Sequence, residues 1–208
     1  MSGTDSISKL THGLATAISV SLHPLVMAVL MFAYLPGRAG MSGWPYAGAV
    51  GFFLFFSFLA PFLYLKYQQS QGVIDDIDIR DREKRQNHYT NFLVIYAIQL
   101  VLTVILFDSP LLWVYAFGYL ANTAIYAQIN RIWKISIHGA GLGGPTGVLI
   151  YLEGLHVWPL SFIILPLMWS RVKLKYHTPL QVITGALLGG LLIYGEYSLA
   201  NRIWSFSG

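Results

Sequence analysis

Seven stretches of mostly apolar residues, separated by short polar segments, make up most of the chain. Only 11% of the residues are charged and 55% are hydrophobic, whereas a soluble domain carries about 25% charged residues. A helix of about 20 mostly apolar residues is long enough to cross a bilayer. The sequence therefore predicts an all-α, polytopic transmembrane helix bundle, with a single integral membrane domain over residues 1–208. The predicted spans are residues 14–36, 45–66, 91–107, 110–129, 140–154, 157–169 and 179–200.

Seven crossings are expected, with six as the alternative. The third, fifth and sixth stretches are short, and one of them could be re-entrant, which is tolerated where the segment is buried among other helices. Residues 1–13 lack the charged head and short apolar stretch of a cleaved signal, and we expect them to form a short polar tail. The chain has no cysteine, so it offers no thiol for catalysis, metal binding or a disulfide.

Lysine and arginine residues are concentrated on one side of the predicted bundle. With seven crossings, the charged loops 67–90, 130–138 and 170–178 all reach the side that carries the N-terminus. The positive-inside rule assigns that side to the cytoplasm. We therefore expect an integral membrane protein of a prokaryotic plasma membrane, with its site at the cytoplasmic face. The net charge of +4 is small and dispersed, which predicts no nucleic-acid partner.

The first charged loop contains the stretch "DDIDIRDREKRQNHY" at residues 75–89. Carboxylates are the hard oxygen ligands that magnesium prefers, and magnesium bridges diphosphates. Arg82 and Arg85, three residues apart, would share a helix face and clamp a phosphate through their planar guanidinium groups. The plain alternative is a solvated loop of paired charges that caps the next helix. The magnesium site and the solvated loop therefore both stay open for the acidic residues Asp75, Asp76, Asp78 and Asp81.

The second charged loop continues into a glycine-rich stretch, "INRIWKISIHGAGLGGPTG" at residues 129–147. A helix that begins near His138 would point free backbone N–H groups at an anion. The glycines, Gly139 among them, would equally permit close helix packing in a membrane. Ionisable groups at membrane depth are costly and usually functional, which makes His138 a candidate site residue together with Lys134 and Ser136.

The third charged loop, "SRVKLKYHTPLQ", begins at Ser170 and leads into the last predicted helix. His177 and Gln181 are four residues apart, so they can lie on one helical face. The amide of Gln181 would then hydrogen-bond one imidazole nitrogen and turn the other outward. The alternative is an interfacial belt of basic residues, Arg171 included, that reaches lipid headgroups.

The second and third loops together resemble the type 2 phosphatidic acid phosphatase family of integral membrane lipid phosphatases, over roughly residues 75–195. The family's second motif, P-S-G-H, corresponds here to "ISIH" and retains Ser136 and His138. Its third motif, S-R-x5-H-x3-D, corresponds to "SRVKLKYHTPLQ" and retains Arg171 and His177. The resemblance implies a phosphatase-like active site at one membrane face.

By this resemblance, His177 would attack phosphorus and form a phosphohistidine. His138 would protonate the leaving group and then help to activate water. The implied substrate is a lipid phosphate, prenyl phosphate or prenyl diphosphate drawn from the lipid bilayer, and the implied reaction needs no cofactor and no metal. The phosphate would be held by Arg171, Arg85, Arg82, Lys134, Ser136 and the backbone near Gly139.

Several positions depart from the family pattern. Gln181 replaces the closing aspartate, and an amide can fix the imidazole tautomer but brings no charge. If Arg85 is the arginine of the first motif, K-x6-R-P, Asp78 stands at the lysine position and Gln86 at the proline position. Two further functions therefore stay open: a non-catalytic lipid-phosphate binding protein on the same scaffold, and a magnesium-dependent membrane prenyltransferase that uses the aspartates of residues 75–81.

Overall fold

The computed structural model describes the backbone of residues 3–205 and the side chains of residues 7–205. This part of the chain is helical with connecting loops and contains no strand, which confirms the all-α prediction. A π-helix, Phe55–Leu59, joins α3 to α4, and a 3-10 helix, Leu155–Ile163, leads into α8. The α-helices of the described residues are α1 (Gly3–Ser21), α2 (Pro24–Arg38), α3 (Gly43–Leu54), α4 (Ala60–Ser70), α5 (Arg82–Leu106), α6 (Pro110–Ile132), α7 (Ile137–Glu153), α8 (Ile164–Lys173) and α9 (Pro179–Trp204).

Five helical segments are long and apolar enough to cross a membrane, which indicates an integral membrane protein. Helices α6 and α7 coincide with two further predicted spans, but they do not belong to these five. Both pack against α9, so they lie within the bundle. The choice between seven and six crossings therefore depends on α6 and α7. The five segments are Ile7–Arg38, Gly43–Ser70, Arg82–Leu106, Leu155–Lys173 and Pro179–Trp204.

The first predicted span, 14–36, is not one helix. Helix α1 ends at Ser21 and α2 begins at Pro24, because proline has no N–H to extend the preceding ladder but suits the first turn of a new helix. His23 caps α2 with its side chain, since its Nδ1 atom accepts the backbone N–H of Leu25 at 3.2 Å. The break places an ionisable side chain between two apolar helices.

Residues 3–13, which the sequence assigns to a short polar tail, are helical, because α1 already begins at Gly3. Residues 1 and 2 lie outside the described range. Helix α1 packs against α8. Ala15 and Ser19, four residues apart, form its buried face, and the Ser170 hydroxyl donates to the Ala15 carbonyl at 2.6 Å. This packing extends the helix beyond the predicted span.

The first charged loop is shorter than the predicted 67–90, because α4 runs to Ser70 and α5 begins at Arg82. The Asp81 carboxylate accepts the backbone N–H of Lys84 at 2.8 Å and caps α5, so the capping interpretation holds for this aspartate. Residues 71–81, here called the 71–81 loop, fold back onto the bundle. Ile74 and Ile79 anchor this loop in a small apolar cluster.

Glycines set the close approach of α7 and α9. A Cβ atom on Gly143 would collide with the backbone of Ala186, and one on Gly139 would collide with the carbonyl oxygen of Val182. Small residues at such spacing let membrane helices approach closely. The Ser136 N–H also donates to the Gln181 carbonyl at 3.3 Å. This packing places the start of α7 beside the start of α9. The second and third charged loops, which precede these two helices, therefore lie next to each other.

The largest apolar core lies between α2, α3, α6, α7 and α9. Phe32 stacks on Phe53 with ring centroids 4.7 Å apart. The buried Tyr197 hydroxyl donates to the Leu111 carbonyl at 2.9 Å. This core fixes the position of α2. As a result, the His23 ring at the start of α2 meets the His138 ring edge-on, with centroids 4.8 Å apart.

Candidate active site

His177 is held by Gln181 in one tautomer. The His177 Nδ1 atom lies 3.1 Å from the Gln181 Oε1 atom, and the same oxygen accepts the backbone N–H of Thr178 at 3.1 Å. Because Oε1 is an acceptor, the imidazole must carry its proton on Nδ1. The lone pair of the neutral ring is then on Nε2. Gln181 also completes a capping box with Thr178 at the start of α9, which fixes the amide in place.

The environment keeps the His177 ring neutral. Burial lowers the pKa of His177 to about 3, and the positive charges of Arg85, Lys134 and Arg171 act in the same direction. The hydrogen bond to Gln181 acts in the opposite direction and does not offset them. A neutral imidazole with its proton fixed on Nδ1 presents a nucleophilic lone pair at Nε2 over the whole physiological pH range.

Arg171 is the centre of a buried polar cluster and is only 1% exposed. Its Nη1 atom lies 2.7 Å from Asp78 Oδ2 and 2.6 Å from the Ser19 hydroxyl. The same nitrogen lies 3.4 Å from His138 Nε2. The guanidinium also lies over the Tyr176 ring, 4.1 Å from its centroid. Arg171 lies in the last turn of α8, not in the predicted loop 170–178, and joins this helix to α1, to the 71–81 loop and to α7.

Asp78 supplies the negative charge of this cluster. Burial alone would raise the pKa of Asp78, but the hydrogen bond from His23 and the charges of His138 and Arg171 hold it well below its usual range. Asp78 Oδ1 lies 3.4 Å from His23 Nε2 and 3.8 Å from His138 Nε2. An ionised carboxylate therefore sits among three nitrogen-bearing side chains.

Arg85 fastens the 71–81 loop to the rest of the site. Its Nη2 atom donates to the carbonyls of Asp78 and Ile79 at 3.4 and 3.1 Å, and its Nη1 atom donates to the Ile135 carbonyl at 3.0 Å. Ile79 has φ 40°, in the left-handed region that a β-branched residue rarely adopts. The loop that presents Asp78 is thus both anchored and strained.

A cavity of about 230 Å³ opens beside these residues. At its polar end it is lined by His138, Arg171, His177 and Arg85. Its remaining walls are mostly apolar and aromatic, from helices α2, α4, α5, α6, α7 and α9. One cavity therefore joins the polar cluster to the apolar interior of the bundle. The aromatic residues in its walls are Tyr89, Phe92, Tyr96, Tyr115, Tyr119 and Tyr126.

Four residues that the sequence assigned to phosphate binding are not among those that line this cavity. Arg82 donates to the carbonyls of Asn130 and Arg131 at the end of α6. Lys134 Nζ donates to the Tyr176 carbonyl at 2.8 Å. Ser136 and Gly139 form a hydrogen bond with each other. The Ser136 hydroxyl caps α7 by accepting the Gly139 N–H at 3.2 Å.

Lys134 still influences the site through its charge. Burial, together with the neighbouring charges of Arg85 and Arg171, lowers the pKa of Lys134 to about 8. The lysine is therefore close enough to these arginines to contribute to the positive potential of the site near neutral pH.

Sequence reasoning missed His23 as a site residue. The side chain lines the cavity and approaches Asp78. The dipeptide His23–Pro24 within an apolar stretch was the available signal. An ionisable residue at membrane depth is a functional candidate by default, and proline after a capping residue marks a helix start. The prediction of one continuous span over residues 14–36 took neither the ionisable residue nor the helix start into account.

His23, Asp78 and His138 also have the residue types of a metal site, with ligand atoms within 4.8 Å of one another. Their hydrogen bonds argue for a different use. His23 Nδ1 accepts the Leu25 N–H, so the neutral ring carries its proton on Nε2, the atom that faces Asp78. A metal ligand must present a lone pair there instead. The trio is therefore better suited to hydrogen bonding than to metal coordination.

The aspartates of residues 75–81 do not converge on one point either. Asp75 is exposed and pairs with Lys84. Asp76 accepts the Tyr176 hydroxyl at 2.7 Å, and Asp81 caps α5. Asp78 faces Arg171. Since each carboxylate has its own partner, the arrangement does not resemble the shared carboxylate cluster that a magnesium-bound diphosphate requires.

A comparison with protein-family models, curated proteins and solved structures finds no match for this chain.

Proposed function

We propose that the protein is a membrane-embedded phosphatase or phosphotransferase that acts on a lipid phosphate, prenyl phosphate or prenyl diphosphate through a phosphohistidine. One observation carries this proposal: the Gln181 amide oxygen fixes the Nδ1–H tautomer of a buried histidine that lines a cavity together with His138 and Arg171. The motifs around these residues, which resemble the type 2 phosphatidic acid phosphatase family, support the same chemistry.

In the proposed first step, His177 Nε2 bonds to phosphorus while the bond from phosphorus to the leaving oxygen breaks. His138 gives a proton to that oxygen. Arg171, with Arg85 and Lys134 nearby, stabilises the charge on the equatorial oxygens. The Nδ1–H of His177 stays with Gln181 and supports the imidazolium as it forms.

In the second step, water attacks the phosphohistidine and the P–N bond breaks. His138 takes the proton from this water, and inorganic phosphate leaves. An alcohol in place of water would give phosphotransfer instead of hydrolysis. His138 enters the first step protonated and regains its proton from water in the second, so the two steps balance in protons and charge.

The cavity supports a substrate with an apolar tail. Its polar end holds both candidate catalytic histidines, and its apolar walls extend between α5, α6 and α9. A lipid phosphate could therefore keep its tail within the bundle while its head reaches Arg171. The concentration of basic loops at this face supports a cytoplasmic site in a prokaryotic plasma membrane.

The test is phosphate release in detergent with a chelator present. Phosphatidic acid and farnesyl diphosphate would be compared as substrates for the parent protein and the His177→Ala variant. His156→Ala is the matched control, because His156 is exposed in the 3-10 helix after α7 and does not line the cavity. Release by the parent and the control, with loss in His177→Ala, is the expected result. Equal release from His177→Ala would contradict the proposal.

A second candidate, a non-catalytic lipid-phosphate binding protein, is favoured by a separate observation. Gln181 brings no charge to stabilise an imidazolium, and Asp78 already pairs with Arg171 at 2.7 Å. This candidate predicts that lipid phosphate binds to the parent and to His177→Ala equally, with no phosphate release from either.

A further inference from the structure

The Asp78 carboxylate occupies a position that is built to hold an anion. Its Oδ2 atom accepts a hydrogen bond from Arg171 Nη1 at 2.7 Å, and its Oδ1 atom lies 3.4 Å from His23 Nε2. Arg171 is almost completely buried, and the Asp78 side chain is 14% exposed. Guanidinium groups recognise carboxylates and phosphates with the same N–H groups. The donors that hold Asp78 are thus equally suited to a phosphoryl oxygen.

His23 is committed to donation at this position. The backbone N–H of Leu25 points at its Nδ1 atom, which must therefore accept. The proton of the neutral ring is then on Nε2, directed at the carboxylate. Because α2 depends on this cap, the ring orientation is fixed by the helix start and does not depend on Asp78. The donor would remain in place if another anion replaced the carboxylate.

Asp78 also stands between two cavities. The cavity described above holds the apolar tail in the proposed function. A second cavity is lined mainly by residues of α1, of the 71–81 loop and of the segment after α8. Of the residues that the structure describes, His23, Ile77 and Asp78 line both cavities. A phosphate head of a lipid whose tail lies in the first cavity would reach this dividing wall.

The segment that carries Asp78 is under backbone strain. Ile79 has φ 40°, and this non-glycine conformation costs free energy that the surrounding contacts must supply. Those contacts include the two hydrogen bonds that Arg85 donates to the carbonyl oxygens of Asp78 and Ile79. A strained segment that is fastened by a few contacts can be displaced by a ligand that competes for them.

From these observations we infer that the place of the Asp78 carboxylate is a phosphoryl-binding subsite, that His23 is its second donor beside Arg171, and that Asp78 is displaced when the phosphoryl group binds. The inference rests on the proposed function for the identity of the ligand. It adds a phosphate-binding residue, His23, outside the resembling motifs. It also makes Asp78, which stands at the lysine position of the family's first motif, a competitor of the substrate.

Binding of inorganic phosphate to the full-length protein in detergent tests this subsite without any turnover. Titration calorimetry would compare the parent with Asp78→Ala. We expect Asp78→Ala to bind phosphate about tenfold more tightly, because a charge-assisted hydrogen bond no longer has to be displaced. Asp75→Ala is the matched control in the same loop, since Asp75 is exposed and pairs with Lys84, away from Arg171 and His23. An affinity in Asp78→Ala equal to that of the parent would overturn the inference.

His23→Asn, introduced into Asp78→Ala, tests the second donor. Asparagine is a good helix cap, so α2 keeps its start, but its short side chain does not reach the subsite. We expect most of the gain in phosphate affinity to disappear. An unchanged affinity would overturn the assignment of His23. If Asp78→Ala does not fold, Asp78→Asn keeps a neutral partner for Arg171, and a smaller gain in affinity is expected there.

The outcomes separate this inference from the proposed function. Phosphate release by the parent, without tighter phosphate binding in either Asp78 variant, would overturn the subsite but would still support the proposed enzymatic function. Tighter binding in these variants, without release from phosphatidic acid or farnesyl diphosphate by any variant, would support the subsite and contradict the proposed hydrolysis.

Discussion

The Gln181 side chain joins two tasks through one oxygen atom. Its Oε1 atom lies 3.1 Å from His177 Nδ1 and accepts the Thr178 backbone N–H at 3.1 Å. The same residue is the third position of the capping box that starts α9. The start of the helix therefore orients the histidine, and a residue of this length with a carbonyl group serves both tasks.

Replacement of Gln181 separates its two tasks. Gln181→Ala should lower the rate of phosphate release about 10²- to 10⁴-fold, because the His177 tautomer and orientation are lost. Loss of the capping box should also cost about 1 kcal/mol of stability. Gln181→Glu keeps the capping box and adds a negative charge beside the ring, so it should raise the pKa of His177. Rates over a pH series and thermal unfolding of both variants measure these effects.

The glutamate variant provides the sharper check. In the parent, the low pKa of His177 keeps the ring neutral down to about pH 3, so the acid limb of kcat/KM should lie far below neutral pH. Gln181→Glu should move this limb to higher pH, because the imidazolium is stabilised. An acid limb that does not move, with a stable fold, would contradict the assigned hydrogen bond.

Lys134 should set an alkaline limb. Its pKa is lowered to about 8, first by burial and then by Arg85 and Arg171. Above that pH the free enzyme loses a positive charge near the phosphate, so kcat/KM should fall. Lys134→Arg should remove the decline, because arginine stays charged. Lys173→Arg, an exposed change in the same charged region, is the control and should leave the decline in place.

Two adjacent glycines of α7 should respond oppositely to alanine. A Cβ atom on Gly143 would collide with the Ala186 backbone, whereas one on Gly144 meets nothing within 4 Å. Gly143→Ala should therefore destabilise the protein by about 1–3 kcal/mol, because α7 and α9 must separate. Gly144→Ala should be neutral or stabilise by about 0.5–1 kcal/mol through helix propensity. Thermal unfolding in detergent compares them, and equal losses would contradict the assigned interface.

Much of the fold could be predicted from the lengths of the apolar stretches alone, since every predicted span coincides with a helical segment. The break at His23 could not be predicted in this way, because a window of apolar residues does not register a capping histidine and the proline after it. The helical content of the 67–90 segment was missed for a similar reason. Its charges indicated a loop, whereas Asp81 provides a cap that starts α5 at Arg82.

The candidate site was partly predictable. Motif order led to His138, Arg171 and His177, and the packing of α7, α8 and α9 on one another brings them to one cavity. The phosphate-binding roles expected for Arg82 and Gly139 depended on the direction of a guanidinium group and of a backbone N–H. The spacing of residues along the sequence does not determine these directions. Arg82 faces the carbonyl end of α6, and Gly139 packs against α9. Asp78 was visible in the sequence, but its contact with Arg171 depends on how the 71–81 loop folds back.

The most direct test of the central claim is the identity of the phosphorylated residue. The protein would be mixed with a substrate radiolabelled in its terminal phosphate, quenched in alkali and digested. The account predicts a label that survives alkali, is lost in acid, lies on the peptide that contains His177 and is absent from His177→Ala. Phosphate release at the parent rate by His177→Ala, without any label at this position, would contradict it.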